Sequence, residues 1–180
     1  MRIGVDIRPF LRRETGIGIY LKNLLLSLSG QDRNNEYFLF SSSLKDRFPA
    51  EKVPAFARMT FRDFHYSVRM LNWLWLRFGR PTLDGLFDVD LDLTHSPTPM
   101  RLPTRGRTIV TVHDLFALEY PSLVDREARL YFGRQLKASL RRADGVIAVS
   151  RYVGDKAKER FGLDETRIKV IHHGLNLRFS

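Results

Sequence analysis

The chain has 180 residues, 43% of them hydrophobic and 28% charged, proportions that exclude bulk disorder and suit one compact domain. Thirty Lys and Arg against twenty Asp and Glu leave a net charge of +10, which points to an anionic partner: nucleic acid, a lipid headgroup surface or phosphorylated small molecules. Cysteine is absent, which excludes disulfides and thiolate metal sites, and no apolar run approaches the roughly 18 residues that span a bilayer.

In chain order, "RIGVDI" (2–7) reads as a first buried strand, rich in β-branched residues. Pro9, Gly16 and Gly18 then break the pattern, and from Ile17 to Leu28 apolar residues recur at three- and four-residue spacing, one face of a helix. "EYFLFSS" (36–42) is a second strand and 56–64 contains a third, bounded by Pro54. Between Tyr66 and Phe78 the spacing is again helical, with Val68, Leu71, Trp75 and Phe78 on one side. "DLDLTHSP" (90–97) suggests a short strand ending at His95, and "RTIVTVHD" (107–114) has the near-continuous apolar run of a parallel strand covered on both faces. A helix is expected from about Asp125 to Ala143, a strand at 145–150, a helix at 151–162 stopped by Gly162, and a last strand at 167–174.

Strands alternating with helices predict right-handed crossovers and an α/β fold, a Rossmann-like doubly wound parallel sheet flanked by helices. Ligands collect beyond the C-terminal strand ends of such sheets. The clusters "RPFLRRETGIG", "HSPTP", "HD" and "SRY" fall at those ends.

Each cluster has more than one reading. Gly16 and Gly18 open a helix, where unpaired N–H groups suit a phosphate, yet Leu21 stands where a third glycine would complete a dinucleotide fingerprint, and a tight turn explains the pair equally. An NAD(P)- or nucleotide-sugar-dependent Rossmann enzyme is the rival reading, weakened because the second strand closes on serines where an acidic residue would hold the ribose. His113 and Asp114 are compatible with a general base and its partner, a metal pair or a strand cap; neighbours on a strand point to opposite faces, which disfavours chelation of one ion. His95 and His113 end strands that are candidate neighbours. Ser150 has the position of a helix N-cap, and no G-x-S-x-G surrounds it as a nucleophile would require. The stretch 65–80 is either a core helix or an amphipathic surface helix whose Trp73, Trp75 and arginines, Arg77 among them, meet anionic lipid. Trp73 and Trp75 lie about 200° apart on a helix, so they cannot both be buried against one partner. A basic nucleic-acid-binding module is disfavoured by the absence of a recognised motif or aromatic stacking sheet.

In the order "IGVDIRPFLRRETGIGIYLKNLL", "DLTHSPTPMRLP", "TIVTVHDL", "RRADGVIAVSRY" and "RIKVIHHGLN", the chain resembles the N-terminal half of the retaining, metal-independent family 4 glycosyltransferases of the GT-B type. The resemblance implies an acceptor-side Rossmann-like domain over 1–172, the start of an interdomain linker at 173–180, and a donor-binding C-terminal domain absent from this chain, which leaves it inactive alone. It implies sugar transfer with retention from a nucleotide-diphosphate donor, with a leaning to GDP-mannose, onto a saccharide or lipid-linked acceptor, without metal or other cofactor. Gly16, Ile17 and Gly18 are then expected at the donor pyrophosphate, held mainly by the absent domain. His113 is the expected catalytic group, facing the transferred sugar, and His95, Asp114, Ser150 and Arg151 are expected to line the cleft. Trp73, Trp75 and Arg77 are the expected membrane or acceptor surface. The N-terminus lacks the apolar block of a signal peptide, so the expected location is cytoplasmic, peripheral to the inner face of the membrane.

Overall fold

The computed structural model describes residues 1–11, 15–49, 51, 53, 55–124 and 136–174. Seven strands are β1 (Arg2–Asp6), β2 (Glu36–Ser42), β3 (Met59–Phe64), β4 (Leu93–Ser96), β5 (Arg107–Val112), β6 (Gly145–Ala148) and β7 (Ile168–Val170). They form one sheet in the order β3-β2-β1-β4-β5-β6-β7. Every pair with a defined register runs parallel, as the alternation of strands and helices predicts. The helices are α1 (Gly16–Gln31), α2 (Val68–Phe78), α3 (Leu83–Phe87), α4 (Phe116–Glu119), helical residues 136–142 labelled α5, and α6 (Arg151–Phe161).

The chain divides into two compact units, one of Met1–Pro97 with Leu102–Arg107, the other of Thr98–Arg101 and the chain from Thr108 on. In the first unit the two-residue period of β2 buries both faces. Tyr37 and Leu39 join Val5, Ile7, Leu21 and Leu25 in one cluster against α1. Phe38 meets Phe87 of α3 edge-on at 5.4 Å, and Phe40 lies 5.6 Å from Trp75 of α2. Helices on both faces are what a doubly wound sheet requires. In the second unit, Val110, Val112, Val146 and Ala148 of β5 and β6 pack with Leu136 and Leu140 of α5 and Val153, Ala157 and Phe161 of α6.

Caps set the helix limits. The hydroxyls of Thr15, Ser67 and Ser150 accept N–H bonds from Gly18, Met70 and Val153, and the left-handed Gly79 and Gly162, at φ 64 and 62, close α2 and α6. Several expectations shift. Phe78 lies in the last turn of α2 and is 60% exposed, not on the inner side; Gly79 ends the helix directly after it. The last strand is only Ile168–Val170, and His172 and His173 follow it. Most of the expected helix from Asp125 lies outside the described residues. The short α3 and α4 were not expected, because pieces of five and four residues carry too few turns for a periodic signal.

The N-terminal edges of the strands are tied by carboxylates. Asp84 is 2% exposed and accepts the N–H of Leu91 at 3.0 Å and of Arg105 at 3.1 Å. Asp92 accepts the N–H of Arg2 at 2.7 Å, and its carbonyl accepts that of Arg107 at 3.0 Å. Gly106 fits there because a Cβ would lie 2.1 Å from the Leu91 carbonyl oxygen. In the second unit Asp144 accepts both the N–H and the hydroxyl of Thr108, at 2.8 and 2.9 Å.

Burial alone would raise the Asp84 carboxyl, but bonds from Leu91, Thr104 and Arg105 outweigh it and hold the group below its ordinary value of 3.8. A carboxyl lowered on folding adds stability above its unfolded value and loses it as pH falls through the folded one. Asp84→Asn turns an amide N–H₂ toward N–H donors and is expected to cost about 1–3 kcal/mol at neutral pH, read as the midpoint of urea unfolding. The gap to wild type narrows as pH drops below about 4; equal midpoints at neutral pH would contradict the assignment.

Candidate functional site

The C-terminal strand ends carry the polar residues singled out in the sequence, and each unit contributes its own group. In the first unit β1 ends at Asp6, whose side chain is 2% exposed. Arg8, two residues on, folds back onto it. Its Nε donates to Asp6 Oδ1 at 2.9 Å, its Nη2 to Oδ2 at 2.7 Å, and its backbone N–H to Oδ1 at 3.0 Å. The remaining terminal nitrogen donates to Asn72 Oδ1 of α2 at 3.0 Å, and the guanidinium plane covers the rings of Trp75 at 4.9 Å and Phe40 at 5.4 Å. A bidentate pair stacked on aromatics suits arginine and not lysine, whose ammonium has no planar fork. This knot fixes where the chain leaves β1 for the glycine turn. The signal that could have found it is a D-x-R spacing, with Asp6 in "RIGVDI" and Arg8 opening "RPFLRRETGIG"; Asn72 had no signal.

At the start of α1 the Thr15 hydroxyl accepts the Gly18 N–H at 3.1 Å. Of the three expected phosphate donors, Gly18 is therefore already engaged in capping. A Cβ on Gly16 would meet nothing within 4 Å, whereas one on Gly18 would lie 3.3 Å from Thr15 Oγ1 and 3.4 Å from the Pro9 carbonyl oxygen. Gly16 thus faces open space and Gly18 is a packing glycine. His95 pairs in register with Val5 of β1, which puts it on the sheet face that α1 covers. It lies inside β4, and Ser96 is that strand's last residue.

In the second unit His113 follows β5 directly. Its ring meets that of His173 edge-on, centroids 5.3 Å apart at 65°. The sequence placed His173 only inside the "HHG" piece and gave it no role. Asp114 Oδ1 accepts the Phe116 N–H at 3.0 Å, bracing the turn into α4. Ser150 caps α6 through Val153 at 3.2 Å, and Arg151, exposed, opens that helix. Next to it the Tyr152 hydroxyl donates to Glu119 Oε1 at 2.7 Å, tying α6 to α4 and raising the phenol above its ordinary value.

The expected surface helix divides cleanly. Trp73 is 57% exposed and Arg77 is exposed. Trp75 is corrected: it is 5% exposed, its indole N–H donates to the Pro81 carbonyl at 2.8 Å, and it lies beneath Arg8. No described helix is long and apolar enough to cross a membrane.

Residues 15–179 match the family model for Glycosyltransferase Family 4. The chain is 30% identical over 111 residues to the O-antigen chain mannosyltransferase RfbU of Salmonella typhimurium, across 62% of this chain and 28% of that protein. Its fold is similar to that of sucrose-phosphate synthase from Thermosynechococcus elongatus, with a TM-score of 0.59 and 16% sequence identity, over 98% of this chain and 49% of that one. The chain therefore spans half or less of either relative. With a family match that covers residues 15–179 of its 180, the protein belongs to glycosyltransferase family 4.

Proposed function

We propose that this chain is the acceptor-side part of a retaining glycosyltransferase that moves a sugar, mannose from GDP-mannose in our reading, onto a saccharide or lipid-linked hydroxyl. The observation that carries the reading is the family match over residues 15–179. The likeness to an O-antigen chain mannosyltransferase favours mannose and a glycan acceptor. The nucleotide is held mainly by a second domain of the complete enzyme.

In this reading the backbone N–H groups of Gly16 and Ile17, at the positive end of a 16-residue helix, meet the leaving diphosphate. They neutralise the charge that develops as the bond to the sugar breaks. Gly18 keeps Thr15 in place and shapes the turn. His113 donates or accepts a hydrogen bond at a sugar hydroxyl, its ring set edge-on to that of His173. Asp114 and Ser150 shape the loops on either side of it through their bonds to Phe116 and Val153. The acceptor hydroxyl passes its proton to the leaving phosphate oxygen, so no protein nucleophile is needed.

His113→Ala in the complete enzyme, assayed by transfer of labelled mannose from GDP-mannose, is expected to lower kcat by about 10²-fold, the scale for losing one preorganised polar contact to a transition state. Wild-type turnover in that variant would remove His113 from the reaction. The glycine turn is tested separately. A methyl on Gly16 meets no protein atom within 4 Å, so Gly16→Ala is expected to leave the melting temperature of the chain unchanged while raising the KM for the donor about tenfold, or about 1.4 kcal/mol. An unchanged KM would mean that the turn does not approach the donor.

A further inference from the structure

The outer face of α2 has no covering element among the described residues, and its composition is unusual for a solvated helix. Met70, Trp73, Leu76 and Phe78 are 49%, 57%, 42% and 60% exposed. Arg69, Arg77 and, just past the helix, Arg80 are exposed among them. At 100° per residue, Arg69, Met70, Trp73, Leu76 and Arg77 share an arc of roughly 120°. No Asp or Glu occurs between Asp63 and Asp84. Exposed aromatics are common singly, but four large apolar side chains ringed by arginine and free of carboxylates form a patch.

The side chains of the patch pack on one another. Trp73 and Phe78 meet edge-on at 5.5 Å, and the Arg77 guanidinium lies 5.7 Å above the Phe78 ring. Beneath, Leu71 and Trp75 are buried, and Ser67 and Gly79 cap the two ends. The helix therefore needs no local unfolding to present its outer side chains.

We propose that this face of α2 docks the protein on an anionic lipid bilayer, with Trp73, Leu76 and Phe78 entering the headgroup–acyl boundary and Arg77 and Arg80 meeting lipid phosphates. Charge selects the occupant. A second copy would bring the same basic face and the same net charge of +10 against itself, whereas an anionic surface complements both. Lying in the interface with arginine on the flanks is the arrangement of a membrane-surface helix, not of a spanning one. The inference rests on this surface and is independent of the sugar-transfer reading.

The test is co-sedimentation of the 180-residue chain with vesicles of phosphatidylcholine, with and without phosphatidylglycerol. Wild type is expected to pellet with the mixed vesicles and to stay in solution with pure phosphatidylcholine. The pairs Trp73→Ser with Leu76→Ser, and Arg77→Glu with Arg80→Glu, are each expected to weaken that binding at least about tenfold. All four positions are exposed, and melting curves report whether each variant stays folded. Leu26→Ser with Leu44→Ser, at positions 49% and 52% exposed elsewhere on the first unit, is expected to bind as wild type does. Absence of wild-type pelleting, equal binding to both vesicle types, equal binding by all variants, or self-association that the Trp73 and Leu76 changes abolish without vesicle binding would each overturn the proposal.

Discussion

The buried ion pair between Asp6 and Arg8 is the interaction on which the C-terminal strand edge of the first unit depends. A parallel strand must hand the chain to its helix through a loop, and loops at C-terminal strand ends serve ligands only when held in place. Here the carboxylate at the end of β1 takes three bonds from Arg8, and Arg8 reaches on to Asn72 and lies over Trp75 and Phe40. One side chain thereby joins β1, β2 and α2. The same side chain that holds the exit from β1 also packs on the inner face of α2, beside Phe40.

The sheet is polarised in what its polar residues do. At the N-terminal edges, Asp84 accepts backbone N–H groups on both carboxylate oxygens and Asp92 accepts that of Arg2 on one. Such bonds tie the strand starts together. At the C-terminal ends, Gly16 in the first unit and His113 and Arg151 in the second come after their strands, and His95 sits one residue before the end of β4.

Much of this was legible in the sequence because the signals were physical ones. The apolar runs of 2–7, 36–42 and 107–114 read as strands, the last as a parallel one covered on both faces, and they became β1, β2 and β5. Ser150 and Gly162 read as caps because their side chain and backbone, respectively, are what a helix end needs, and they cap α6. What the sequence hid was long-range. Helical spacing put Phe78 with Trp75, but Trp75 lies under Arg8, sixty-odd positions earlier, and the end of the helix at Gly79 leaves Phe78 against Trp73 instead. His173 acquired a partner only when β7 brought it to the end of β5. Asn72 is an ordinary polar helix residue until Arg8 arrives.

If the buried pair organises this edge, its two members act as a unit. The direct measurement is a double-mutant cycle in urea unfolding with Asp6→Ala, Arg8→Ala and both together. Each single change strands a buried charge and is expected to cost about 3–5 kcal/mol, and the double change is expected to cost less than the sum of the two by at least about 1.5 kcal/mol. Additivity within about 0.5 kcal/mol would contradict the account, because it would mean that strand end and loop are held independently.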